Sequence, residues 1–331
     1  MTPTLRLVGP AFANFPVCTD LDKLDADVAI VGMPIVTPYV RALPCTSAAA
    51  PFTIRKESLR CSRLSHYDFD FEGPLFQNRD VKCVDVGDIV RGKESFEDYG
   101  KMCTAVYQKI LARGAIPITL GGDHATPVPI FRAYKGYDPI CVVHVDAHLD
   151  WRDEREGLKD GLSSPLRRAS EQPWITSMIQ IGLRGIGSAR QEEVDAARAW
   201  GSVLVGAAEL HRKGIDAILK RIPKAKNYYI TIDADGLDPT IAPGVTGLNP
   251  GGVTYYQMLD LMRAVAKKGR VVGGDFVEVM PERDVQDQTS LYGARILLNM
   301  IGCMVESKQI GYGKRNGKTV TTGRKKTRKA A

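Results

Sequence analysis

The strongest constraint on this chain comes from two acidic strings, each directly after a run of strand-forming residues. The first, at 144–150, reads His-Val-Asp-Ala-His-Leu-Asp, and the second, at 233–235, reads Asp-Ala-Asp. Every second side chain of an extended strand points the same way, so the alternate polar residues of each string should converge on one side. These side chains are Asp146, His148, Asp150, Asp233 and Asp235.

Four carboxylates and an imidazole in one place repel one another unless cations lie between them. Two divalent metal ions that share bridging carboxylates remove this repulsion with few ligands. The two strings therefore predict a binuclear metal centre, which is typical of metal-dependent hydrolases.

Strand-like and helical patterns alternate through most of the 331 residues. Such alternation predicts a three-layer α/β/α fold around a central, mostly parallel sheet of about eight strands. The predicted strands are 27–32, 81–86, 115–120, 139–144, 177–182, 202–205, 227–233 and 271–279. The predicted long helices are 96–113, 189–200, 254–268 and 289–303. Residues 1–306 are interpreted as one catalytic domain.

Two further polar segments are predicted at the same edge of the sheet, where ligands of open α/β sheets bind. A Gly-Gly turn after a strand leads to Asp123 and His124, and Glu278 comes late in the last strand. We expect His124 to be a metal ligand and Asp123 to form hydrogen bonds within the turn or behind the ligands. His144, deeper on its strand, is expected to be a hydrogen-bond partner behind the ligands.

Such a centre has a defined chemistry. Two ions roughly 3.5–4 Å apart hold a bridging water and lower its pKa toward neutrality, giving a hydroxide that attacks planar, electron-poor carbons. A guanidinium carbon qualifies if a carboxylate orients the cation, and Glu278 is placed to do so. Carboxylate and imidazole ligands without thiolates favour two Mn²⁺ ions per chain, with Ni²⁺ or Co²⁺ as alternatives.

These motifs resemble the ureohydrolases, the family of arginase, agmatinase and related guanidino-hydrolases, over about residues 27–303. The resemblance implies an arginase-like fold, a trimer or hexamer, and cleavage of a linear guanidino compound, agmatine-like or a guanidino acid, to urea and an amine. It implies Glu278 as the residue that binds the guanidinium. It implies one ion bound by His124, Asp146, Asp150 and Asp233. It implies a second ion bound by Asp146, His148, Asp233 and Asp235, so that Asp146 and Asp233 bridge.

The chain departs from the family pattern in two loops. Many members carry a proton-transferring histidine in the loop after the first acidic string, whereas residues 159–168 here contain none. Asp160 or a water is the candidate replacement. Residues 33–51 lack the Gly-Arg-x-Gly-Pro-like string common in agmatinases. Trp151 and Arg152 are candidates for contacts with the substrate tail, and solvated loop positions are the alternative.

The net charge of +7 comes from the C-terminal segment, because residues 307–331 carry nine basic and no acidic residues. The rest of the chain has 36 basic against 38 acidic residues. We expect this segment to be a disordered tail, and nucleic acid is not a favoured partner because base-stacking aromatics are few there. Scattered cysteines, no apolar span and no leader pattern predict a cytoplasmic protein without membrane contact. That it is a homo-oligomer is implied by the family resemblance.

Two other functions compete with this interpretation. The missing loop histidine allows a non-catalytic or co-catalytic subunit of a hetero-oligomeric guanidine or biguanide hydrolase. Metal-dependent deacylation of acetylated amines on a related sheet is a third hypothesis. It generally needs a single zinc and fewer carboxylates than this chain offers.

Overall fold

The described residues, 4–40 and 45–312 of a computed structural model, contain nine strands in one sheet. The strands are β1 (Leu5–Arg6), β2 (Val28–Met33), β3 (Cys83–Ile89), β4 (Ile116–Gly121), β5 (Ile140–Val145), β6 (Ile175–Leu183), β7 (Val203–Gly206), β8 (Asn227–Asp233) and β9 (Arg270–Val277). Their order across the sheet is β1-β3-β2-β4-β9-β8-β5-β6-β7. All pairings among these strands are parallel except β1 with β3.

The predicted α/β fold with a mostly parallel central sheet is confirmed, and all eight predicted strands are present. The ninth, β1, was missed because two residues are too short to show a period. The last strand ends at Val277, so Glu278 lies directly after β9 rather than within it.

Nine α-helices in the described residues surround the sheet. They are α1 (Ala50–Ser58), α2 (Phe96–Ala112), α3 (Pro127–Ala133), α4 (Pro165–Ser170), α5 (Gln191–Trp200), α6 (Ala207–Lys213), α7 (Ile215–Leu219), α8 (Tyr255–Lys268) and α9 (Gln288–Glu306). The four helices predicted from the sequence correspond to α2, α5, α8 and α9. Side-chain caps fix two of their starts, since Ser95 accepts from the amide of Asp98 and Thr254 from that of Gln257.

Two hydrophobic cores lie on opposite faces of the sheet and produce the three layers. Neighbouring residues of β5 alternate between them, with Val143 in the core that includes α8 and α9 and Val142 in the core that includes α2 and α3. Burial on both faces explains the nearly continuous apolar sequence of the central strands.

The predicted division into a domain of residues 1–306 and a basic tail stays a prediction. Helix α9 ends at Glu306, but residues 313–331, most of the predicted tail, lie outside the described residues. No helix within the described part of the chain is long and apolar enough to cross a membrane.

The sheet brings the two acidic strings together because β5 and β8 are neighbours. His144 pairs with Thr231 and Val145 with Ile232, so both strings begin at the same height. Gly236 packs directly on this junction, since a Cβ added there would lie 2.6 Å from the amide nitrogen of Asp146. Neither backbone segment, at Gly236 or at Asp146, can move away without a large energetic cost. The close approach of the two loops therefore requires a glycine.

We expect Gly236→Ala to lower the free energy of unfolding by about 1–3 kcal/mol, because the new methyl overlaps backbone atoms of the neighbouring loop. Gly100→Ala is the matched control: it lies in α2 with open space around it, and alanine should stabilise the helix by about 0.5–1 kcal/mol. Urea denaturation monitored by circular dichroism measures both. Equal stability of the two variants would contradict the close packing of the loops.

Candidate metal centre

Four of the predicted ligands converge on a single point. The Nδ1 atom of His124 lies 3.1 Å from one carboxylate oxygen of each of Asp146, Asp150 and Asp233. All four side chains are buried or nearly so. One nitrogen and three oxygens from different residues form a donor set that suits a divalent transition ion.

A second group shares Asp146 with the first. The Nδ1 atom of His148 lies 3.1 Å from Oδ2 of Asp235 and 3.4 Å from Oδ1 of Asp146. Asp146 therefore offers one oxygen to each group, which is the arrangement of a bridging carboxylate. The second oxygen of Asp233, Oδ1, accepts a hydrogen bond from the amide of Asp235 at 2.8 Å.

The structure thus brings together all six side chains that the sequence singled out as ligands. Their coordination of metal, and the bridging role of Asp233, stay predictions. Each ligand lies at or just beyond the end of a parallel strand: Asp146 follows β5 and Asp233 ends β8. Asp150 has a left-handed backbone (φ 51°), which turns its carboxylate back toward His124.

The charges of the cluster are poorly balanced by protein groups alone. Burial raises the pKa of Asp233 well above its usual value, and the negative charges of Asp235 and Asp146 raise it further. Burial and the charge of Asp146 raise the pKa of Asp235 to about 6. Burial by itself lowers the pKa of His148, but hydrogen bonds to Asp146 and Asp235 raise it to about 12. The donor set and the repulsion within it fit two divalent cations.

A hydrogen-bond chain behind His124 fixes its tautomer. Thr231 donates to Oδ1 of Asp275 at 2.7 Å, so its oxygen accepts from Nε2 of His124 at 3.1 Å. In the neutral imidazole the lone pair of Nδ1 therefore faces the carboxylates, as a metal ligand requires. Tyr229 donates to the other oxygen of Asp275 at 2.7 Å. Sequence reasoning missed Asp275, although an acid within a strand buried on both faces was a usable signal.

The other two predicted supporting residues have different roles. Nε2 of His144 lies 2.8 Å from Oδ2 of Asp146. This buried histidine also belongs to the group with His124, Asp146 and Asp150 that could hold a metal ion, so its supporting role stays a prediction. Asp123 forms the turn, because its carboxylate accepts from the amides of Thr37 and Ala125 at 2.6 and 3.0 Å. It contributes to neither ligand group.

Glu278 lies beside the first ligand group. Its Oε1 accepts from the amide of His124 at 2.9 Å, and its own amide donates to the carbonyl of Gly122 at 2.8 Å. Like Asp150 it has a left-handed backbone (φ 64°), which directs the side chain over the end of the sheet. Burial, and then the charge of Asp233, raise the pKa of Glu278 well above its usual value.

A cleft of about 450 Å³ opens over the centre and exposes both ligand groups and Glu278. Trp151 and Arg152 line it, so neither is a freely solvated loop residue: Trp151 is buried, and Nε of Arg152 lies 3.4 Å from Oε1 of Glu193. Arg155 also lines the cleft, with its guanidinium 4.5 Å from the centre of the Tyr39 ring.

Asp160 is not brought to the centre. Its two oxygens accept from the guanidinium of Arg132 at 2.6 and 2.8 Å, and it is not among the residues that line the cleft. This ion pair with α3 turns the carboxylate away, so the expectation that Asp160 transfers protons is corrected. Leu162 and Ser163 are the residues of this loop that face the cleft.

Comparison with known proteins adds an independent line of observation. A sequence model described as the Arginase family matches residues 26–302. A guanidinobutyrase of Pseudomonas aeruginosa is 32% identical over 288 residues, covering 85% of this chain and 87% of that protein. A mitochondrial agmatinase of Gallus gallus is 34% identical over 301 residues, covering 87% and 83%.

Among solved structures, proclavaminate amidino hydrolase from Streptomyces clavuligerus superposes with a TM-score of 0.79 at 26% identity. The match covers 90% of this chain and 97% of that one.

The two ligand groups predict different metal losses. Asp146→Ala should remove both ions, because Asp146 offers an oxygen to each group, whereas Asp150→Ala should weaken only the site around His124. Elemental analysis after dialysis against a fixed low metal concentration measures ions per chain. The assignment is wrong if the two variants lose metal equally.

The metal-free protein should become less stable as the pH rises. The folded-state pKa of His148 is about 12 against 6.5 when unfolded, so its stabilisation is complete below pH 6.5 and is lost as the pH rises toward 12. The slope is at most about 1.4 kcal/mol per pH unit for each proton. Denaturation of the metal-free protein at pH 6.5, 7.5 and 9 measures it.

Manganese should reverse this trend, because a metal ion needs the imidazole unprotonated. His148→Gln should reduce the metal-free slope but not abolish it, because the pKa of His124 is also raised, and His66→Gln, outside the cluster, should leave it unchanged. A metal-free stability that rises from pH 6.5 to 9 contradicts the charge balance described above.

Proposed function

This chain belongs to the arginase family, and we propose that it hydrolyses a guanidino acid to urea and an amino acid. The observation that carries the proposal is a cleft with a buried carboxylate in its inner part and two partly exposed guanidinium groups in its outer part. The inner part presents the buried Glu278 carboxylate beside the two ligand groups. The outer part presents Arg152 and Arg155, whose side chains are partly exposed.

Glu278 supports the part of the proposal that concerns the guanidinium of the substrate. Its carboxylate is held by the amide of His124, so it can accept hydrogen bonds from a guanidinium without a large rearrangement. A cation there also removes the cost of keeping this acid charged in a buried position. When bound, two divalent ions supply a water that is nucleophilic at neutral pH. Glu278 orients the guanidinium so that its carbon faces that water.

Arg152 and Arg155 support the part of the proposal that concerns the carboxylate tail of the substrate. Glu193, the carboxylate beside Arg152, also accepts from the amide of Arg190 at the start of α5. Arg155 stacks on Tyr39, and its Nε lies 3.4 Å from Oε1 of its neighbour Glu156. Glu156 in turn accepts from the amide of Val40. A carboxylate tail would complete the hydrogen bonding of these guanidiniums, whereas the ammonium of agmatine would be repelled.

The donor set favours two Mn²⁺ ions per chain, with Ni²⁺ and Co²⁺ as alternatives, because it contains carboxylates and imidazoles but no thiolate. We further propose a cytoplasmic trimer or hexamer, as the resemblance to the family implied. The guanidinobutyrase of Pseudomonas aeruginosa supports the choice of a guanidino acid by its name and its 32% identity.

A second candidate is a co-catalytic subunit of a hetero-oligomeric guanidine or biguanide hydrolase. It is favoured by the cleft-facing Leu162 and Ser163, which offer no imidazole where many relatives carry a histidine. The six convergent side chains favour a catalytic chain instead, because a subunit whose centre has lost its function gains nothing from keeping carboxylates clustered. Two bound ions without any urea release by the isolated chain would favour the subunit role.

Urea release tests the substrate. With Mn²⁺ or Ni²⁺ supplied, we expect kcat/KM for 4-guanidinobutyrate to exceed that for agmatine at least tenfold, since about 1.4 kcal/mol of differential tail binding suffices. Arg155→Gln and Arg152→Gln should reduce this ratio through KM, and Glu278→Gln should abolish turnover of both substrates.

Asp160→Asn is the control for the acid-to-amide change, because Asp160 lies outside the cleft, and it should keep the rate within about twofold. A preference for agmatine over 4-guanidinobutyrate that remains after both arginine substitutions contradicts the proposal that these arginines bind the carboxylate tail of the substrate. Absence of urea from every guanidino acid contradicts the function itself.

A further inference from the structure

Arg184 makes an unusual set of contacts behind the second ligand group. It follows β6 directly, and its half-buried guanidinium donates hydrogen bonds of 2.7–3.3 Å to backbone carbonyls alone. The acceptors are the carbonyls of Gly182, Asp235, Gly236, Leu237, Asn249 and Pro250. Among the residues that the structure describes, no carboxylate oxygen lies within ion-pair distance of it.

The first set of acceptors is the loop that carries Asp235. Nη2 of Arg184 donates to the carbonyls of Asp235 at 2.7 Å and Leu237 at 3.1 Å, and Nη1 donates to that of Gly236 at 3.3 Å. Three consecutive carbonyls thus point at one cation. The backbone from which the Asp235 side chain projects toward His148 is thereby held in place.

The second set belongs to the segment that packs on the ligands from the other side. The guanidinium donates to Asn249 at 2.9 and 3.2 Å and to Pro250 at 3.0 Å. Two residues earlier, a Cβ added to Gly247 would lie 2.7 Å from Cε1 of His148 and 2.9 Å from Oδ2 of Asp235. Holding residues 249–250 in place therefore also holds Gly247, against which the side chains of His148 and Asp235 pack.

The backbone of Arg184 completes the connection. Its amide donates to the carbonyl of Ala147 at 2.9 Å, and the amide of Ala147 donates to Oδ1 of Asp235 at 3.2 Å. Ala147 lies between Asp146 and His148, so Arg184 joins the loops after β5, β6 and β8. Five fixed N–H donors are needed for this set of contacts, which an ammonium with three donors cannot match.

We propose that Arg184 is a positioning residue for the second metal ion: it holds Asp235 and His148 at the spacing that binds this ion, while the site around His124 forms without it. The inference rests on the binuclear centre of the proposed function. The positive charge of Arg184 also attracts the carboxylates of Asp235 and Asp146, which reduces their mutual repulsion even before metal binds.

Cobalt binding tests the proposal without any turnover. Metal-free protein and the Arg184→Gln variant are titrated with Co²⁺ alone, and visible absorption and elemental analysis report two successive binding steps. We expect the Kd of the second step to rise about 10–100-fold in the variant, as for other partners that orient metal ligands, and that of the first to change less than twofold. Arg184→Lys should fall between the two.

Arg263→Gln is the matched control. This half-buried arginine of α8 also donates to a backbone carbonyl, that of Asp70, and pairs with Glu306 away from the cleft. Its loss should lower the melting temperature but leave both cobalt steps unchanged. If Arg184→Gln does not fold, Arg184→Lys, which keeps the charge, supplies the readout.

The proposal is overturned if the folded Arg184 variants bind both ions as tightly as the original chain, or if both steps weaken equally. Failure of the proposed function gives a different result. In that case the original chain binds two cobalt ions, the second step still depends on Arg184, and no urea is released from any guanidino acid.

Discussion

The mutual repulsion of buried carboxylates at one edge of the sheet is the constraint on which this structure depends. Asp146, Asp150, Asp233 and Asp235 surround two histidines, and burial together with like charge raises the pKa of Asp233 and Asp235. Such a cluster is costly unless cations join it. The cost explains why so much of the surrounding structure fixes the positions of these side chains: Gly236 allows the two loops to approach, and carbonyl-bound Arg184 holds one of them.

The parallel sheet solves the geometric part of the problem. Strands β4, β9, β8 and β5 are consecutive in the middle of the sheet, so segments far apart in sequence end side by side. His124, Glu278, Asp233 and Asp146 follow or end these four strands. Buried neighbours on both faces make the strand ends rigid, and rigid ends hold ligands at fixed distances. The loops beyond the strand ends form the rest of the cleft. There Arg155 and Tyr39 present a guanidinium and an aromatic ring, whereas the metal centre presents carboxylates and imidazoles.

Much of this was predictable from local patterns. The eight longer strands appear as apolar runs, and the six proposed ligands could be assigned because alternate residues of a strand share a side. Contacts that depend on distant partners were not predictable. From the sequence, Asp160 was a reasonable candidate for proton transfer, but in the structure it forms an ion pair with Arg132. Arg184 gave no motif, because its role arises only from the residues opposite it. Asp275 was recognisable as an acid within a buried strand, but its partners Thr231 and Tyr229 were not.

The sequence by itself determined the fold class, the edge of the sheet that carries the chemistry and the identity of the clustered side chains, because period and residue type are local properties of the chain. Only the tertiary structure decided which oxygens face which histidine, that Thr231 and Asp275 fix the tautomer of His124, and that Arg152 and Arg155 line the same cleft as the ligand groups. These features depend on separations of a few ångströms between different segments of the chain, such as Thr231 and Asp275 or His124 and Asp233, and no local pattern encodes them.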